Sequence, residues 1–277
     1  MLGFGLAFLM LVVGLRLEAA SLAFTFRHPR ALLLGLAVQM LVLPLLALLL
    51  NRIFALPPEL ALGLLVIAAA PGGITSNYVA LLARADLALS TAMTLTTSLL
   101  APVSLPVVLS LSGALSGAAG FDLAGATLRL ALGVTAVAAL PLALGLWLQR
   151  RFAAGVRRWQ AGLERAARLV FALIVLTTFW ANRAVMLQHF GSLGAAALAL
   201  NLGAVTAGLS LRLVGLSAGQ ALAAAVECGL QNAAIAIFVA VTVLGRTELA
   251  VPALIYAVIM NVTALALVGL ARRNVTA

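Results

Sequence analysis

A chain of 277 residues that is 65% hydrophobic and 9% charged is not composed like a water-soluble domain, which runs at about 45–50% apolar and about 25% charged. The mean hydropathy of +1.21 defines a polytopic membrane protein. The net charge of +10 does not point to nucleic acid, because all 17 basic residues are arginines placed between hydrophobic runs, where topology signals sit.

A bilayer core needs roughly 20 apolar residues per helix. By that measure the chain predicts an all-α membrane protein of nine transmembrane helices: Leu2–Leu17, Ala31–Leu50, Glu59–Ala83, Leu87–Leu109, Leu123–Leu148, Leu169–Ala181, Leu193–Leu211, Ala218–Leu244 and Leu249–Leu270. They make one transmembrane domain over residues 1–277, with half-repeats over 1–110 and 122–270 and a basic cytoplasmic connector at 150–168. With the N-terminus outside, twelve arginines fall in inner segments (27, 30, 84, 150, 151, 157, 158, 165, 168, 212, 272 and 273) and three in outer loops (52, 183 and 246). Arg16 and Arg129 lie near span ends and can snorkel. The C-terminus is then cytoplasmic. The apolar start, lacking a basic flank, is not read as a cleaved leader.

Two spans are interrupted. The third carries APGGITSN, in which Pro71 removes a donor and Gly72 and Gly73 weaken the helix, followed by Thr75, Ser76 and Asn77. The eighth carries ECGLQN, with Glu227, Gly229, Gln231 and Asn232 at similar depth. Irregular backbone at membrane depth survives only where protein or a water-filled cavity satisfies it. Paired breaks in corresponding halves point to a secondary transporter's binding site. The two spans differ by an odd number of crossings and so run in opposite directions, as an inverted repeat requires. Glu227 is the one acid deep within a span, and no arginine lies near that depth. That marks it as a cation site.

With both motifs in view, the chain resembles the bile acid:sodium symporter family from GFGLAFLMLVVGLRL onward. The resemblance implies two crossed discontinuous helices, core and panel subdomains, two sodium sites, and an integral multi-pass protein of a bacterial inner membrane. It also implies that the first of the family's usual ten spans has no counterpart here. The first sodium site would use Ser76, Asn77, Ser90, Thr94 and Glu227. The second would use the Gln39 side chain, Glu227, Gln231 and the backbone carbonyls of Cys228 and Leu230. Ser90 and Thr94 are four residues apart and share a helix face. Gln39 is the one strongly polar residue in an otherwise apolar span. Hydroxyls, amides, carbonyls and a carboxylate are the oxygen donors a hard cation takes.

Two sodium ions against one carboxylate leave a positive crossover, reinforced by the half-helix N-termini. The expected substrate is therefore a small organic anion, bile acid-like or a smaller carboxylate, held without an arginine by Thr75, Asn232 and Asn261. Besides that substrate and membrane lipid, no nucleic acid and no obligate protein partner is expected. Cys228 reads as a packed residue without a redox role, and as a lone cysteine it builds no disulfide framework. No enzyme is expected, since His28 and His189 fall in loops and no nucleophile–base set is present. The alternatives are a proton-coupled carrier using Glu227 and a passive channel or membrane sensor.

Overall fold

The computed structural model describes residues 2–16, 29–116 and 123–276. Arg27 and His28, which the sequence reading places in a loop, lie outside the described residues. The described elements are helices: α1 (Leu2–Arg16), α2 (Pro29–Ile53), α3 (Pro58–Ala69), α4 (Ile74–Leu82), α5 (Leu87–Ser116), α6 (123–151), α7 (Ala153–Ser210), α8 (Ala218–Gly229), α9 (Ala233–Val243) and α10 (Val251–Thr276). Five stretches, in α2, α5, α6, α7 and α10, are each long and apolar enough to cross a membrane alone. Leucines facing outward on one side of α2, at positions 33, 41, 45 and 49, are exposed. Such a stripe suits lipid tails rather than water.

Local chemistry sets the helix ends. Pro58 opens α3 at its first turn. The Asp86 carboxylate accepts from the Leu89 amide at the start of α5. Ser217 and Gln220 form a reciprocal capping box on α8. The α2 and α6 helices each contain a π-helical turn, Val38–Val42 and Thr135–Ala139, followed two residues later by a proline, Pro44 and Pro141. Proline has no N–H and its ring crowds the carbonyl four residues back, so a widened turn relieves both problems.

The breaks occur where the sequence places them. Ala70 turns extended (φ −64°, ψ 150°) ahead of Pro71, as residues before proline do, and the chain re-enters helix at Ile74. On the other side α8 ends at Gly229 and α9 starts at Ala233, capped by the Asn232 side chain on the Ile235 amide.

One expectation is corrected. The sixth and seventh spans are not separated by a loop: α7 is hydrogen-bonded as helix through Ala153–Ser210, and Arg183 and His189 lie inside it. A polar dip in hydropathy need not interrupt helical hydrogen bonding. A straight helix would hold residues 171 and 201 about 45 Å apart. Yet Phe171 shares a cavity with Asn232, while Asn201 donates to the nearby Gly229 carbonyl. Both ends of this stretch thus lie near the second break, closer together than a straight helix would hold them, and Gly191 and Ser192 supply a small-residue pair of the kind at which helices kink.

Packing depends on close backbone approach. A Cβ built on Gly14 of α1 would run into the Leu142 carbonyl of α6, and one on Gly145 into the Leu11 carbonyl. The two helices touch through bare glycines, the small-residue contact by which membrane helices gain dispersion energy. Gly14→Ala is expected to destabilise the protein by about 1–3 kcal/mol through overpacking. Gly162→Ala, where nothing lies within 4 Å, should not lower stability and gains up to about 1 kcal/mol of helix propensity. Thermal unfolding of the two purified variants checks the contrast.

Candidate functional site

The two breaks pair with each other. Gly72 and Gln231 form an antiparallel bridge, the Gly73 amide donates to the Leu230 carbonyl (3.1 Å) and the Asn232 amide to the Pro71 carbonyl (2.9 Å). Each interrupted helix thus supplies partners for the backbone groups that the other leaves open. The Gly72 amide reaches the Thr97 hydroxyl at 3.4 Å. Glycine at position 72 leaves room for the Glu227 carboxylate, which a Cβ there would displace.

Glu227 is fully buried and no cationic side chain pairs with it among the described residues. Its Oε1 accepts from the Ser90 hydroxyl and its Oε2 from Thr94 (2.8 Å). Ser90 also lies 2.8 Å from Asn77 Oδ1, and Thr94 accepts from Asn77 Nδ2 at 3.3 Å. A serine has one proton, so it cannot donate to Glu227 and Asn77 together. Ser76, equally buried, commits its hydroxyl to the Gly73 carbonyl at 2.7 Å. The sequence-predicted residues Asn77, Ser90, Thr94 and Glu227 are therefore linked in one hydrogen-bonded cluster, in which the Thr91 hydroxyl also donates to Asn77 Oδ1 at 3.3 Å.

The second predicted set is partly connected. Gln231 Nε2 donates to the Cys228 carbonyl at 2.8 Å, which leaves Gln231 Oε1 buried without a partner. Gln39 is buried with neither side-chain atom hydrogen-bonded. It sits in the π turn of α2, which packs against α8. A buried amide lacking a bond costs about 1–3 kcal/mol. An oxygen-ligated cation would satisfy these orphaned carbonyl oxygens, and the donor set fits sodium as a co-substrate.

A cavity of about 280 Å³ opens beside the crossover. Thr75 and Asn232 line it, together with Gly73 and Gln231. Asn261 does not: it is exposed and donates to the Ala257 carbonyl of its own helix at 2.6 Å. Sequence reading missed two supports. Asn201 and Tyr256, both buried, donate to the Gly229 carbonyl freed at the second break, at 2.8 and 3.0 Å. An Asn in α7 and a Tyr in α10 carry no local signal. It also read Arg16 and Arg168 as topology and snorkelling residues, whereas both line the cavity, with Glu164 and Tyr78.

An apolar helical bundle with five stretches long enough to cross a bilayer is that of an integral membrane protein, and paired broken helices inside it are the arrangement from which secondary transporters build binding sites. The Sodium Bile acid symporter family profile matches residues 3–189, and the chain belongs to that family. The second break lies beyond the matched stretch. The chain is similar to a probable chloroplastic sodium/metabolite cotransporter of Arabidopsis thaliana, 26% identical over 98% of this chain and 66% of that protein. It is also similar to an uncharacterized sodium-dependent transporter of Bacillus subtilis (36% identical, covering 38% of this chain and 33% of that one). The human P3 protein is 28% identical over 81% of this chain and 47% of its own length. The chain thus spans 66% of the first relative and less than half of the other two.

Gly72→Ala is expected to cost about 1–3 kcal/mol by forcing Glu227 out of place. Gly73→Ala, whose added atom would stop 3.2 Å from the Gln231 carbonyl oxygen, should cost less. Melting temperatures of the two variants, measured side by side, test the order.

Proposed function

We propose that the protein is a sodium-coupled secondary transporter of a small organic anion, working by alternating access. The observation that supports this reading most is Glu227: a fully buried carboxylate without a cationic partner, ringed by hydroxyl and amide groups where two broken helices pair. In this reading one sodium ion is held by Ser76, Asn77, Ser90, Thr94 and Glu227. A second is held by Gln39, Glu227, Gln231 and the carbonyls of Cys228 and Leu230. The carboxylate offsets one of the two charges, and the N-termini of α4 and α9 add partial positive charge. An anion in the cavity beside Thr75 and Asn232 completes the balance. The nine-span topology with the N-terminus outside, the inverted half-repeats, the core and panel subdomains and a bacterial inner-membrane location belong to the same proposal. So does the absence of a catalytic role.

Sodium, and not potassium, is expected to raise the melting temperature of the purified protein. A co-substrate that binds only the folded form stabilises it by about 2.7 kcal/mol at a hundredfold excess over its Kd. Equal melting in the two salts, with uptake driven by a pH gradient instead, would favour the proton-coupled alternative.

Glu227→Gln is expected to abolish sodium-dependent uptake, whereas Ser76→Ala, Ser90→Ala, Thr94→Val and Gln39→Ala each leave a measurable fraction. Glu227 touches both proposed ions, so its neutralisation removes charge from two sites in a weakly screened setting. Each of the other changes removes one neutral ligand. Uptake at matched membrane expression ranks the five, and normal transport by Glu227→Gln would sink the shared-carboxylate scheme.

A further inference from the structure

The mouth of the cavity carries a charged cluster that the sodium sites do not use. Arg16, in the last turn of α1, pairs through Nε with Glu164 Oε1 at 3.3 Å, and the two side chains are 22% and 15% exposed. The Tyr78 hydroxyl donates to Glu164 Oε2 at 3.1 Å, and the Arg16 guanidinium lies 4.4 Å from the centre of the Tyr78 ring. Gln160 donates to Glu164 Oε1 at 3.2 Å. Arg168 is one helical turn beyond Glu164 on the same face of α7. It lines the same cavity, is exposed, and has no hydrogen bond or ion pair among the described residues.

Arg16, Glu164 and Arg168 are the charged residues that line this cavity. Two guanidinium groups against one carboxylate leave the mouth with one positive charge in excess. The rest of the lining is apolar at Leu9, Val12, Ala167, Phe171, Ala234 and Met260, and polar at the crossover residues Thr75 and Asn232. That lining fits a ligand with an apolar body and a single acidic group.

We propose that Arg16 and Arg168 form the recognition site that the acidic group of the transported anion meets on its way to the crossover, and that Glu164 is a tethered competitor which this group displaces. The inference rests on the organic-anion reading above and deepens it by naming the residues that select the substrate class. At Arg16 the exchange conserves charge. A carboxylate on the substrate takes the place of a carboxylate on the protein, so Arg16 is not stripped of its counter-charge while half-buried. A neutral ligand offers no such replacement and leaves Glu164 in possession. Because Tyr78 belongs to α4, the half-helix that follows the first break, displacing Glu164 also removes the acceptor that ties α4 to α7. Selection at the mouth is thereby linked to the crossover.

The test uses the full-length protein in nanodiscs and isothermal titration with ω-phenyl carboxylates from phenylacetate to 8-phenyloctanoate, each beside its neutral amide. Members of the series should bind wild type more tightly than their amides. Glu164→Gln should tighten carboxylate binding several-fold, and Arg16→Gln and Arg168→Gln should weaken it about tenfold, as loss of a charge-assisted bond does. Arg16→Lys should recover part of that loss, and amide binding should be the same in all variants. The sodium-induced melting shift of each variant reports whether the crossover is intact. If no carboxylate outbinds its amide in wild type, or if Glu164→Gln leaves binding unchanged or weaker, the inference is overturned. Every titration is repeated in potassium chloride. The full variant pattern without sodium dependence would count against the sodium-coupled reading alone, whereas sodium-dependent binding without the pattern would count against this inference alone.

Discussion

Interrupting two helices inside an apolar bundle exposes amides and carbonyls where water cannot reach them, and everything at the centre of this protein follows from how those groups are satisfied. Pro71 and Gly229 open the helices, and the gaps close on each other through the Gly72–Gln231 bridge and its flanking bonds. The antiparallel crossing lets each segment donate once to the other within three residues. The crossing in turn fixes the side chains that flank it. Glu227 lies behind the strand-like turn of Gly72, and a hydroxyl-bearing face of α5 is brought against its carboxylate. Asn201 and Tyr256 hold the last open carbonyl, on Gly229, so the break is braced from α7 and α10 as well.

A buried carboxylate can be stabilised by a paired cation, by proton uptake or by hydrogen bonds. Here hydroxyl donors, Ser90 and Thr94 of α5 among them, carry that task. Hydroxyl bonds compensate a buried charge less completely than a cation does. A bound monovalent ion would offset the charge directly. The orphaned amides of Gln39 and Gln231 repeat the pattern on the other side of α8. The site therefore supports ion binding by its chemistry as much as by its family.

The sequence carried the breaks because proline, glycine and an isolated acid act locally and leave a mark wherever they occur. Ser90 and Thr94 were legible for a related reason, since their spacing alone puts them on one face. Features that depend on distant residues meeting were not legible. Arg16 and Glu164 are far apart in the chain, and counting arginines to orient the protein treats each as interchangeable. Asn201 and Tyr256 resemble ordinary interior residues until the Gly229 carbonyl is seen between them. The residues around Arg183 read as a loop because polarity rises there, but helical backbone bonds are indifferent to side-chain polarity, and α7 runs through.

The π turns of α2 and α6 hold one residue more than an α-helix needs over the same length. Each residue of an α-helix advances the side-chain direction by about 100°. Deleting a single residue within Val38–Val42 would restore ordinary helix and turn the segment before it by about that angle relative to the segment after Pro44. The helix would stay apolar and its length would scarcely change, yet Gln39 and the residues that precede it would no longer share their present orientation with the rest of α2. The widened turn thus acts as a rotational register. A one-residue insertion or deletion there would carry the Gln39 amide away from its present place beside α8 without altering any residue that contacts Glu227.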